Sequence, residues 1–217
     1  MASPITVVYV TTSNFKEEEC KLIVEHCTLP SGSPVKGNFE FDFRKEPIPE
    51  TLEVNIEQMV RAEVRAAYSK FRIPCIVEHA GLIFENYRAV WYPGGLTKPM
   101  WNTLGQDFVK ETASANRPAT ARAVIAYCDG MNTRTFTGET TGKIADGPRG
   151  SRTFYWDTVF VPDDPDGTLG TKTYAEINDD PALGLRYKVT KLSQSTKAML
   201  GLLSYLETHS VGALWRQ

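Results

Sequence analysis

The segment Phe136-Thr137-Gly138-Glu139-Thr140-Thr141-Gly142-Lys143-Ile144 runs on through Pro148-Arg149-Gly150 to Phe154-Tyr155-Trp156-Asp157. Two glycines frame a β-type stretch, a Gly-Pro turn follows, and Arg149 sets a fixed cation beside Gly150, whose backbone tolerates φ > 0 and close approach. Such a loop can face a phosphate. Phe154 and Trp156 offer aromatic faces for stacking a base, and Asp157 can accept hydrogen bonds from a base edge that carries N–H donors. A core hairpin with buried aromatics and a turn arginine would use the same residue types.

Further candidates lie at the ends of predicted elements. Thr12, Asn14 and Lys16 stand where a strand gives way to a helix, so backbone N–H groups, an amide, a hydroxyl and an ammonium could meet an anion there. Ordinary helix capping accounts for Thr12 and Asn14 equally well. Glu50 precedes a long helical pattern, either as a partner of the helix dipole or as a metal ligand. Glu78 and His79 close a predicted buried strand, where open α/β sheets place their sites, and alternation points them to opposite faces. Lys188, Lys191, Ser193, Gln194 and Ser195 gather at the start of the last helix. The acidic loop with Asp163, Asp164 and Asp166 lacks the ligand order of an EF-hand and reads as a solvated loop.

These residues need elements to hold them. Ile5 to Val10 reads as a strand buried on both faces, followed by a helix with Glu17, Glu18 and Glu19 in its first turn. Phe39 to Phe43 alternates as a short strand. From Thr51 the recurrence of Leu52, Ile56, Met59, Val60, Val64, Ala67, Tyr68 and Phe71 predicts a helix of about five turns. Pro74 to Val77 is a buried strand, Pro99 to Thr112 a helix, and Arg122 to Tyr127 with Arg134 to Thr140 a hairpin across Asp129-Gly130-Met131-Asn132. Val159 to Val161 is a short strand. The last helix begins near Thr190 and buries Leu192, Thr196, Met199, Leu200 and Leu203.

Composition bounds the partners. The 217 residues, 41% of them apolar, suffice for a single α/β domain over residues 1–217 with two lobes. A net charge of −2 offers no general attraction to nucleic acid, so any anion site must be local. The four cysteines are scattered and the three histidines give no zinc spacing, as expected of reduced thiols in a cytoplasmic protein. Ile5 to Val10 is too short for a membrane span.

Taken together the motifs resemble the inosine triphosphate pyrophosphatase family, also called Ham1-like, over about residues 5–206. Phe136 to Ile144, Pro148-Arg149-Gly150 and Phe154-Tyr155-Trp156-Asp157 match it in kind, order and spacing, and Thr173-Tyr174-Ala175-Glu176 adds to the match. The resemblance implies an elongated α/β fold with a long central mixed sheet, flanking helices, two lobes around a nucleotide cleft, and a homodimer. It also implies Mg²⁺-dependent hydrolysis of ITP, dITP and XTP to monophosphate and pyrophosphate. Carried onto this chain, it implies substrate contacts from Thr12, Asn14, Arg149, Phe154, Trp156, Asp157, Lys188, Ser193 and Gln194. Glu50 and Glu78 become the metal ligands, and Lys16, Glu78 and His79 the catalytic groups.

Two departures accompany the match. The family's Glu-Asp-(Thr or Ser) appears as Glu78-His79-Ala80, which removes an anionic oxygen ligand and predicts weaker Mg²⁺ binding. Its Ser-His-Arg appears as Ser193-Gln194-Ser195, which predicts an altered base preference. The resemblance therefore leaves two expectations: a purine nucleoside triphosphate pyrophosphohydrolase, in which His79 could serve as general base, or an impaired nucleotide-binding relative acting as a sensor or partner subunit.

Overall fold

The computed structural model describes residues 3–105, 107–108, 117–151 and 155–209. Six strands form one mixed sheet in the order β2-β1-β3-β4-β5-β6: Ile5–Val10 (β1), Phe39–Arg44 (β2), Cys75–Phe84 (β3), Pro118–Cys128 (β4), Thr133–Ile144 (β5) and Phe160–Pro162 (β6). β1 pairs in parallel with β2 and β3, whereas β3, β4, β5 and β6 are successively antiparallel. This is the mixed sheet with flanking helices that the motifs led one to expect, and its hairpin is longer at both ends than alternation alone showed.

Period-two alternation sorts the core onto two faces. On one, Val7, Tyr9, Ile76 and Ile125 pack with Cys20 and Ile23 of Asn14–His26 (α1) and with Met199, Leu202 and Leu203 of the last helix. On the other, Val10, Cys75, Val77, Val124 and Ala126 pack with Ile56, Val60, Val64 and Ala67 of Ile56–Phe71 (α2). A third cluster at the far end joins Leu82, Phe84, Ile144, Trp156, Phe160 and Tyr174, beside Thr97–Leu104 (α3) and Tyr174–Asp179 (α4). Among the described residues no helix is long and apolar enough to cross a membrane.

Two helices start later than their periodicity suggests. α2 begins at Ile56 because the Asn55 side chain accepts from the N–H groups of Glu57 and Gln58, while the Glu53 carboxylate takes those of Val54 and Asn55. Leu52 is left outside, 68% exposed. The short helix Gly184–Tyr187 (α5) passes into a π-helical turn, Lys188–Leu192, and Ser193 then caps Gln194–Thr208 (α6) by accepting from Thr196 N–H. α6 rests directly on β5, since a Cβ at Gly138 would stand 2.0 Å from the Gln194 carbonyl oxygen. Of the predicted helix Pro99 to Thr112, α3 covers the first part, and residues 109–112 lie outside the described ones.

Candidate functional site

β1 touches β3 through a single register pair, Tyr9 with Ile76, and then turns away into α1. β3 continues alone on that side through Glu78, His79 and Ala80, and a cleft of about 380 Å³ opens there. The cleft thus opens at the end of β1, where open α/β sheets place their sites, but midway along β3, which runs on to Phe84 instead of closing at Glu78 and His79 as expected. The cleft is lined by Thr11 to Lys16 from the β1–α1 turn, by Glu46, Pro47, Ile48 and Glu50, by Glu63 of α2, by Glu78 to Ala80, by Lys98 and by Trp156.

One wall suits an anion. Ser13 is the N-cap of α1, so the first N–H groups of the helix and their partial positive charge face the cleft beside Thr12 and Asn14. The Lys16 ammonium donates to the Glu78 carbonyl and lines the same cleft, while Asn14 accepts from Lys45 at 3.1 Å.

Another part of the lining suits a cation. Donor atoms of Glu50, Glu63 and His79 lie within 4.8 Å of one another, and His79 Nε2 meets the Glu63 carboxylate. Two carboxylates and an imidazole fit a divalent ion in charge and donor type. Glu50 stands six residues ahead of α2, and the acid in that helix's first turn is Glu57, so a helix dipole does not explain its position. Glu63 is the member that sequence reading missed. Its signal was present, because it falls four residues after Met59 and four before Ala67, both buried, and therefore on the stripe that meets the sheet.

Glu78, expected beside Glu50 as a metal ligand, is elsewhere. Parity turns its carboxylate to the α1–α6 face, where it is buried and accepts from Tyr9 Oη at 2.5 Å and from Ser195 Oγ at 2.6 Å. Burial first, then the neighbouring Glu78 charge, pushes the Tyr9 hydroxyl well above its ordinary value, so it remains a donor to that carboxylate.

Behind Trp156 lies a buried charge network. Lys188 Nζ reaches Asp157 Oδ2 at 2.6 Å and Glu19 Oε1 at 3.2 Å, while Asp157 Oδ1 is buried with no hydrogen-bond partner among the described residues. Burial raises the Asp157 and Glu19 carboxyls despite Lys188. Burial alone would lower Lys188, but the two carboxylates outweigh it and hold the ammonium above the usual lysine value. The π-helical turn that starts at Lys188 carries this lysine into the interior.

Other expected contacts fall differently. Trp156 is 2% exposed and packs edge-on against Phe160, so it contributes an edge to the cleft and most of its ring to the core. Ser193 is buried as the α6 cap, and Gln194 is buried with its amide oxygen accepting from Tyr174 Oη at 3.0 Å. Phe154 lies outside the described residues.

Arg149 does not line the cleft. Its guanidinium binds Glu176 Oε2 at 3.1 Å, Asp146 Oδ1 at 2.9 Å and the Thr171 carbonyl at 2.8 Å, and Thr173 Oγ1 donates to the Arg149 carbonyl at 3.0 Å. Thr173 and Glu176 form a capping box for α4, and Gly150, at φ +84°, lets the loop close onto that helix. Arg149 thus ties the loop to α4 with each of its three guanidinium nitrogens engaged locally. Replacing it with alanine is expected to lower stability by about 1–2 kcal/mol in urea unfolding, discounted for its partial exposure, and to leave KM for the substrate unchanged. A large rise in KM at unchanged stability would restore it to the substrate.

An anion-binding helix start and a divalent-cation donor set lining one cleft define an α/β protein equipped for phosphoanhydride chemistry. The chain belongs to the Ham1 family, whose model matches residues 7–188. Its relatives include the dITP/XTP pyrophosphatase of Methanopyrus kandleri, 30% identical over 167 residues, covering 76% of this chain and 81% of that one. The Thermococcus kodakarensis protein of the same name is 33% identical over 176 residues, covering 79% and 88%. The solved Staphylococcus aureus Ham1 protein shares the fold at 21% identity, with a TM-score of 0.61 over 94% of this chain and 98% of that one.

Proposed function

We propose that the protein hydrolyses non-canonical purine nucleoside triphosphates, dITP, ITP and XTP, to the monophosphate and pyrophosphate. The observation that carries this reading is that Lys16 and the α1 N-terminus line the same cleft as the Glu50, Glu63 and His79 cluster. The names of the relatives, dITP/XTP pyrophosphatase, support the substrate class.

Water attacks the α-phosphorus, the α–β phosphoanhydride bond breaks, its electron pair leaves on pyrophosphate, and a proton passes to solvent. Lys16 and the first N–H groups of α1 neutralise the phosphate oxygens and hold the chain in line. Glu50, Glu63 and His79 would hold a divalent ion, Mg²⁺ on the family resemblance, which supplies charge neutralisation and a more acidic bound water. With Nε2 directed at Glu63, the His79 ring is oriented by a carboxylate rather than left to act alone as a base.

Asp157 is buried and does not line the cleft, but its Oδ1 has no hydrogen-bond partner among the described residues; if a bound base reached it, that oxygen would accept from the N1–H of a 6-keto purine and repel the bare N1 lone pair of adenine. That difference is worth about 1–3 kcal/mol, roughly 10- to 100-fold in kcat/KM. A homodimer in the cytoplasm goes with this reading, and sedimentation of the purified chain tests the dimer. The decisive experiment is pyrophosphate release from dITP, ITP, XTP, GTP and ATP with and without divalent ions. Turnover of the keto purines at least tenfold above ATP is expected. No release from any of them, alongside a nucleotide-induced rise in melting temperature, would make the chain a binder instead.

A further inference from the structure

We propose that the centre formed by Glu50, Glu63 and His79 is a mixed nitrogen–oxygen site that takes a first-row transition ion, Mn²⁺, Co²⁺ or Zn²⁺, in preference to Mg²⁺. The inference concerns the same cleft as the proposed hydrolysis and rests on that reading for the location of the ion, but it is decided by binding and not by turnover.

The donors come from three separate elements. Glu63 projects from the middle of α2, His79 from β3 beneath it, and Glu50 from the segment that leads into α2. Glu63 and His79 are mostly buried, with side chains 12% and 15% exposed, so the packing of α2 on the sheet fixes them relative to each other. Glu50 is 47% exposed and has the freedom to close over an ion. Opposite ligands of one ion stand about 4–4.5 Å apart, so a set gathered within 4.8 Å needs only small adjustment.

Which ion such a site selects depends on whether oxygen can replace nitrogen in it. Two other glutamates contribute to the cleft lining. Glu78 is turned to the opposite face and takes the hydroxyls of Tyr9 and Ser195, and Glu46 is paired with Lys70. Among the described residues, therefore, the imidazole is an integral third donor. Mg²⁺ requires near-octahedral oxygen coordination, whereas imidazole favours the later first-row ions, whose affinities for nitrogen-containing sites rise along the series from Mn²⁺. Two carboxylates and a neutral ring also balance a dipositive charge. The competing arrangement is that Lys98, 3.9 Å from Glu50, supplies the positive charge in place of an ion.

The test uses the full-length protein, stripped of metal and without nucleotide. Mn²⁺ binding is followed by the loss of the free-ion electron paramagnetic resonance signal, Co²⁺ by its visible absorption, and Mg²⁺ by competition with Mn²⁺. The transition ions are expected to bind at least tenfold more tightly than Mg²⁺, and Glu63→Gln to weaken every ion by about 10- to 100-fold. His79→Asp, which makes the donor set all oxygen, is expected to bring Mg²⁺ and Mn²⁺ at least tenfold closer together. This comparison removes the general tendency of carboxylate sites to prefer Mn²⁺. Should His79→Asp fail to fold, spin-echo modulation from an imidazole nitrogen in the wild-type Mn²⁺ form decides the matter. An unchanged Mn²⁺ to Mg²⁺ ratio in the variant, absence of nitrogen modulation, or no ion binding at all overturns the proposal. A chain that binds Mn²⁺ through His79 and releases no pyrophosphate keeps this inference and loses the proposed function; hydrolysis with Mg²⁺ and no such preference does the reverse.

Discussion

Lys188→Ala is expected to destabilise the protein by about 3–5 kcal/mol at neutral pH, because it strands the buried Asp157 carboxylate beside the partly buried Glu19 carboxylate. The wild-type ammonium lies 2.6 Å from one and 3.2 Å from the other, with a side chain only 6% exposed. The sign of the pH dependence follows from the shifts. Burial already raises both carboxyls, and without Lys188 nothing opposes it. A carboxyl raised in the folded state contributes stability below its unfolded value and loses that contribution as pH rises through the folded value. The deficit of the variant should therefore be smallest near pH 5 and largest near pH 8. The Lys188 contribution in the wild type, with its folded value raised, is lost only at alkaline pH and is constant across that window. Urea unfolding at several pH values measures the difference. A deficit below about 1 kcal/mol would show that the network carries no net stability, and a larger one independent of pH would show that the stranded carboxyls do not titrate in this range.

The second large effect belongs to the phosphate end. Lys16→Met is expected to lower kcat/KM for dITP by about 10²–10³, equivalent to roughly 3–4 kcal/mol of lost charge stabilisation where the leaving pyrophosphate forms. Among the described residues the Lys16 ammonium bonds only the Glu78 carbonyl, so stability should change by about 1 kcal/mol or less. Steady-state pyrophosphate release and thermal unfolding of the same variant separate the two. A loss below threefold would move the cation role to Lys98, which lines the same cleft.

How much of this was legible beforehand followed the range of the interactions. β1, α1, β3 and the β4–β5 hairpin were visible because their patterns are local, with Asp129 accepting from Met131 and Asn132 N–H groups to set the turn. The late start of α2 was hidden because Leu52 continues the apolar spacing while the Asn55 cap and the Glu53 bonds override it. Arg149 read as a ligand residue because its partner Glu176 lies 27 positions away, and nothing in the local motif announces that the charge is already spent.

The amino-acid order by itself determined the family motifs, the strand-to-helix turn that bears Lys16, and the opposition of Glu78 and His79, since alternation in a strand is a property of the backbone. Tertiary packing decided which of those two residues shares a wall with Glu50, because that depended on laying α2 over one face and α1 with α6 over the other. It also brought Glu63 to His79 and Lys188 to Asp157, pairings 16 and 31 residues apart. Side-chain chemistry is written along the chain, but the distance between two charges exists only once the helices have settled on the sheet.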